Sequence, residues 1–287
     1  MKGLHARAGF TLIELITTLV ILVIVSVGIS GFIRSSMQVF SDVTERDRIL
    51  GDSRFVVQRM TRELRDAVPS SLRVAGNSSV HCLQFVPIDY STFYTQLPLL
   101  PAADTALEVV EMSDIDNNVY VPDTLSTFAF VFTTRAVDVY DPSLNRRRAV
   151  EACEDDGPDT GCASADSPTN TAQLTVAGAF AAGSPAERVY FASRANSYCV
   201  RDEAIYFHQS DITAAQPVFT SGGVLMAENI ANTLSANPAV QSSGSDDPFR
   251  LFDATLLRNA FVQLRLRFEL NEEVVNYHHE VHVANVP

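Results

Sequence analysis

Glu14 is the lone charged residue inside an otherwise apolar run from Phe10 to Ile33. An ionised carboxylate in a membrane span costs a few kcal/mol by insertion scales. It must therefore snorkel to the interface or meet a cation, since two buried opposite charges are tolerable together and costly apart. Oxygen-rich clusters offer a second chemistry. Glu154, Asp155, Asp156 and Asp159 crowd one loop, and Asp114, Asp116, Asn117 and Asn118 crowd another. Calcium takes six to eight such oxygens, although neither cluster has the glycine and closing glutamate of an EF-hand, and ordinary solvated turns are the alternative. His278, Glu280 and His282 alternate along a strand-like stretch, so one face of that strand would carry all three as a metal set or as a plain polar surface.

Four cysteines, Cys82, Cys153, Cys162 and Cys199, all follow the apolar run. In an oxidising compartment an even count points to disulfides, with three pairings open. The preferred pairing is Cys153 with Cys162, closing a short polar ring worth about 2 to 3 kcal/mol of chain entropy, and Cys82 with Cys199. Buried free thiols are the alternative for the latter two. No phosphate loop, dinucleotide fingerprint or nucleophile elbow occurs, and His279-Glu280-Val281-His282 falls one residue short of a zincin motif. An enzyme is not expected, and no cofactor is implied.

The elements that position these residues follow from periodicity. Phe10 to Ile33, helical at 1.5 Å per residue, reaches about 36 Å, enough to cross a bilayer. Beyond it, Ile33, Phe40, Val43, Leu50, Val57, Met60, Leu64 and Val68 recur at helical spacing, which predicts an amphipathic helix over 34–68 that continues the same rod to about 88 Å. Gly28, Gly31 and Gly51 are its weak points, and a free coiled coil is the rival reading for its exposed half. From Ser79 the period becomes two. Strands are predicted at Val80 to Val86, Leu107 to Met112, Thr127 to Phe132, Ala172 to Val176, Arg188 to Ala192, Tyr198 to Val200, Ala204 to His208, Ala260 to Glu269 and Val274 to Val283, the last two as a hairpin packed on the helix. Glu151 to Asn170 and Ser235 to Pro248 read as long surface loops. The fold class is therefore α+β: a long N-terminal helix, its first half transmembrane and its second amphipathic, packed on a β-rich domain over 69–287 with antiparallel strands.

Charge separates the two parts. The formal charge is -13; residues 1–73 carry ten Lys/Arg against seven Asp/Glu, and residues 74–287 carry eleven against twenty-seven. Nucleic acid is not expected as a ligand of so acidic a domain. Lys2 and Arg7 precede the span and predict a cytoplasmic N-terminus, with Arg34 arguing weakly the other way.

The order of a short polar leader, Gly9, Phe10, then Thr11-Leu12-Ile13-Glu14-Leu15 and an apolar helix resembles the class III signal of type IV pilins and type II secretion pseudopilins. The resemblance implies a leader over 1–9, cleavage between Gly9 and Phe10 by a prepilin peptidase that also methylates Phe10, and an anchor over 10–33 in inner-membrane lipid. It also implies that Glu14 serves methylation and pairs with the terminal ammonium of a neighbouring subunit. Arg59-Met-Thr-Arg-Glu-Leu-Arg-Asp-Ala-Val-Pro69 and Glu280-Val-His-Val-Ala-Asn-Val-Pro287 resemble the larger minor pilins of MSHA-pilus biogenesis (MshO type) and, more distantly, PilW-type minor pilins and J-type pseudopilins. On that resemblance the chain is a minor pilin that helps start a pilus and sits near its tip among other minor and major pilins, its C-terminal domain in the periplasm before incorporation. A tip adhesin and a type II secretion pseudopilin are the alternatives.

Overall fold

The computed structural model describes residues 10–110, 119–153, 162, 171–240, 245–252, 260–271 and 273–283. The chain divides into two compact units, Met1–Leu50 and Gly51–Pro287. Helix α1, Leu12–Arg65, supplies the described part of the first unit and opens the second. It runs through Gly28, Gly31 and Gly51 without interruption.

The helix stops at Arg65, three residues before the expected end at Val68. Pro69 disfavours helical geometry at Val68, and the chain instead turns onto a strand edge: Val68 N–H donates to Val86 O at 2.8 Å, and Ala67 bridges Pro87. Local propensity to continue is outbid by backbone bonds to a segment farther along.

The second unit combines two open sheets with one closed barrel. Strands β1 (Arg73–Asn77), β2 (Val80–Phe85), β9 (Ala195–Arg201), β10 (Ala204–Ser210) and β11 (Val224–Glu228) form an antiparallel sheet in that order. Between β2 and β9 in sequence come β3 (Tyr90–Gln96), β4 (Ala106–Val110), β5 (Phe128–Phe130), a short helix α2 (Ala136–Tyr140), β6 (Arg147–Cys153), β7 (Thr171–Val176) and β8 (Arg188–Ala192). These six strands close into a barrel ordered β3-β4-β7-β6-β5-β8. Its interior holds Leu107, Val109, Val131, Val150, Leu174, Val176, Phe180, Val189 and Phe191. Strands β12 (Phe249–Phe252), β13 (Phe261–Leu270) and β14 (Glu273–His282) make the third sheet.

The expected strands are all present in substance, and the expected terminal hairpin is β13 with β14. Strands β1, β3, β6, β11 and β12 and helix α2 were not expected. Strand β6 shows why: Arg146-Arg147-Arg148 interrupts the apolar alternation, yet Arg147 is buried, its guanidinium donating to Ile212 O at 3.0 Å and lying 4.8 Å from the Phe128 ring. Arg148 is satisfied by Ala179 O. Bonds to distant carbonyls, invisible in the local pattern, permit charge on a barrel strand.

The two expected surface loops are partly tied down, and most of Glu151 to Asn170 lies outside the described residues. Glu151 to Cys153 belongs to β6, and Cys162 lies in the barrel core bonded to Cys153. Within Ser235 to Pro248, Asp247 is buried, with Ser235 N–H and Oγ each donating to its carboxylate at 2.9 Å. His81 of β2 lies against the same group, Nδ1 3.5 Å from Oδ1, while its Nε2 is bonded to Ser235 O at 2.8 Å. Burial alone would raise the Asp247 pKa, but the serine donors and His81 outweigh it and hold the carboxyl below its ordinary range.

Strand β9 is buried along its whole length because both faces are covered. On one face Tyr198 stacks with Phe85 and donates to Glu63 Oε2 of α1 at 2.7 Å, while Arg59 donates to Glu63 Oε1 at 2.7 Å and lies over Phe207. Burial first, and the Glu63 carboxylate second, push the Tyr198 phenol well up, so it remains a donor. With Val56, Met60 and Leu64 fully buried beside it, this contact seats the last turns of α1 on the sheet. The other face of β9 carries Cys199, bonded to Cys82 directly across from it on β2.

Two predictions follow from this packing. Replacing both Cys82 and Cys199 by alanine opens a loop of separation 117, which the chain-entropy model values at about 4 to 5 kcal/mol; denaturant unfolding of the wild type and the double variant reads that loss. A carboxyl whose folded pKa is depressed stabilises above its unfolded value, about 4, and loses that contribution as pH falls through the folded value. Melting temperature should therefore drop more steeply for wild type than for Asp247→Asn between about pH 5 and pH 2, and parallel curves would show that Asp247 carries no such linkage.

Candidate functional site

The first turn of α1 is closed by bonds to Thr11. Thr11 caps the helix: its carbonyl accepts from Glu14 N–H at 3.1 Å and from Leu15 N–H at 3.2 Å, and its hydroxyl lies 3.4 Å from Glu14 N. Thr11-Leu12-Ile13-Glu14 thus has the S/T-x-x-E spacing of a capping box, with Glu14 at the third helical position. The same four residues carry that signal in the sequence itself. A carboxylate in the first turn also lies near the positive end of the helix dipole.

The residues on both sides of Glu14 expose apolar side chains on every face. Phe10, Leu12, Ile13, Leu22, Ile24 and Val27 are each more than half exposed, as are Phe32 and Phe40 farther on. The hydroxyls in this stretch are satisfied within the helix: Thr17 donates to Glu14 O at 3.0 Å, Thr18 to Leu15 O at 2.9 Å and Ser30 to Ser26 O at 2.7 Å. A helix that is apolar all round, with its polar atoms bonded internally, suits hydrocarbon rather than water. By length and composition α1 can cross a membrane.

Of the other sequence candidates, Gly9 and the acidic residues Asp114, Asp116, Asn117, Asn118, Glu154, Asp155, Asp156 and Asp159 lie outside the described residues. His278, Glu280 and His282 share the outward face of β14, opposite Arg265, Gln263 and Phe261 of β13. Gln263 bonds Glu280, and His282 packs on the Phe261 ring at 5.4 Å, so Glu280 and His282 are engaged with β13. No group of three metal-ligating side chains occurs among the described residues. The structure joins Cys82 to Cys199 and Cys153 to Cys162, and no free cysteine is found among the described residues.

Comparison with known proteins adds one observation. Residues 4–30 match the prokaryotic N-terminal methylation motif. The match supports a protein of the type IV pilin or pseudopilin kind, whose members are structural subunits and not enzymes. The motif implies processing by a prepilin peptidase and assembly with other pilins, and the apolar helix after it fits a single-pass membrane anchor. No curated protein and no solved structure matches the chain.

The cap is testable on the full chain in detergent micelles. Thr11→Ala removes the hydroxyl acceptor and should weaken the first turn by about 1 kcal/mol, read as roughly five-fold faster hydrogen exchange at the Glu14 amide; unchanged exchange would show that the hydroxyl contributes nothing.

Proposed function

We propose that this chain is a minor pilin, pseudopilin-like in build, that takes part in initiating and assembling a type IV pilus of the MSHA kind near its tip. The match of residues 4–30 to the methylation motif carries this reading. The leader is residues 1–9, the peptide bond between Gly9 and Phe10 is the one cut, and Phe10 is methylated. Residues 10–33 span the inner membrane, residues 34–68 continue into the periplasm, and residues 69–287 form the exterior domain until the subunit enters a pilus.

Glu14 has a specific task in this scheme. Cleavage after Gly9 creates a cationic terminal amine at Phe10, at the positive end of α1, where it is disfavoured. A carboxylate four residues on, in an adjoining subunit, neutralises that charge in a medium that penalises either ion alone. The all-round apolar helix supports the same assembly, since every face can be covered by neighbouring helices or lipid. A tip adhesin is the second reading, favoured by the inserted barrel, which exposes Val121 and Leu125 at its surface; pili would then persist in a deletion strain while attachment fell.

Glu14→Ala should lower the fraction of chain recovered in sheared surface fibres by about ten-fold or more, as expected for stranding a charge. Mass spectrometry of the wild-type chain should find methylated Phe10 at its N-terminus. Unaltered incorporation of the variant, or a deletion strain with normal pilus number, would overturn the proposal.

A further inference from the structure

Strand β14 is an open edge. It pairs with β13 through all of Glu273–His282 with no register shift, and nothing among the described residues adds a strand on its other side. The bonding phase fixes which of its groups are unused. Val283 N–H donates to Ala260 O, and Arg265 N–H donates away from β14 to Pro248 O. In an antiparallel ladder bonded and non-bonded pairs alternate. Val274, Asn276, His278, Glu280 and His282 therefore turn their N–H and C=O groups outward, and all five residues are exposed.

Such edges are usually blunted by proline, lysine, a bulge or shortness. Strand β14 has 10 residues and none of these devices. At the far side of the other open sheet, β11 has 5 residues and its pairing with β10 is bulged. The difference marks β14 as the edge left fit for pairing.

Below that edge runs a groove of about 390 Å³ between β14 and the end of α1, lined in part by Gln58, Thr61, Arg62, Arg65, Asp66 and His279. Arg62 and Arg65 are exposed, and neither has an ion-pair partner among the described residues. Asp66 offsets one of the two cations. A strand added to β14 would point every second side chain into this groove. Carboxylates there would meet the two guanidiniums, whereas a second copy paired β14 to β14 would bring two arginine pairs together. We infer that β14 accepts an extended, acidic segment of a different pilin-type subunit by strand addition, with Arg62 and Arg65 reading its carboxylates. The identity of the partner class rests on the function proposed above; the open edge and its charge do not.

The test uses the full chain in its own cells, with a photoreactive benzoylphenylalanine at Asn276 and the adduct mapped by mass spectrometry. The expected adduct lies in an acidic extended segment of another protein that carries its own methylation motif. His278→Pro deletes one outward N–H and no bond to β13, and should cut the adduct about ten-fold, while His278→Ala, which keeps the N–H, should not. Arg62→Glu with Arg65→Glu should abolish it and the corresponding lysine pair should retain it, with the Cys82–Cys199 disulfide checking the fold of each variant. A chain that is processed at Phe10 yet gives no adduct, gives one to its own copy, or gives one undiminished by His278→Pro overturns strand addition alone. A chain left uncut between Gly9 and Phe10 overturns the pilin reading and, with it, this partner.

Discussion

Strands β2 and β9 lie side by side although Cys82 and Cys199, opposite one another in them, are separated by 117 positions in sequence. Everything between them must leave the sheet and return to the same register, and the chain does so by closing on itself as a six-stranded barrel. Closure removes the edges that an inserted open sheet would present. The disulfide crosses the neck of this insertion, so the barrel is free to be elaborated without disturbing the sheet that carries it. The same pairing creates the platform for α1: Tyr198 of β9 donates to Glu63, Phe85 of β2 stacks on Tyr198, and the helix buries Val56, Met60 and Leu64 over them. Without the long-range pair there would be no face for the helix to bury.

Polar groups in this unit are engaged at a distance. Arg147 reaches Ile212 O, Arg73 reaches the carbonyls of Thr213 and Ala214 while stacking on Tyr140, and Asn232 bridges Asp246 O and Arg265 O. Each bond ties an irregular connection to a strand, which is how long linkers stay ordered with few apolar side chains of their own. His81, Ser235 and Asp247 do the same for the approach to β12. The acidic balance of the second unit is consistent with this use of arginine, because most of its few cations are spent on backbone carbonyls and ring faces.

Assembly chemistry and fold are encoded on different length scales. Gly9, Phe10, Thr11 and Glu14 lie within a few residues of one another in the sequence, so the match to the methylation motif and the helix cap are readable locally. The helix over Leu12–Arg65 is likewise legible from composition and spacing, as are β13 and β14, because one face of each alternates cleanly. The α+β class with a long N-terminal helix and antiparallel strands follows from those elements alone.

Other features emerge only when distant segments meet. The end of α1 at Arg65 is decided by Val68 bonding Val86, the strand character of Arg147 by Ile212, and the burial of Asp247 by His81. Barrel closure, the covering of both faces of β9 and the openness of β14 depend on which strands become neighbours. Sequence periodicity reports only the balance between a residue and water. Pairing partners are selected by backbone bonds and charge contacts between segments far apart, whose energies have no local signature.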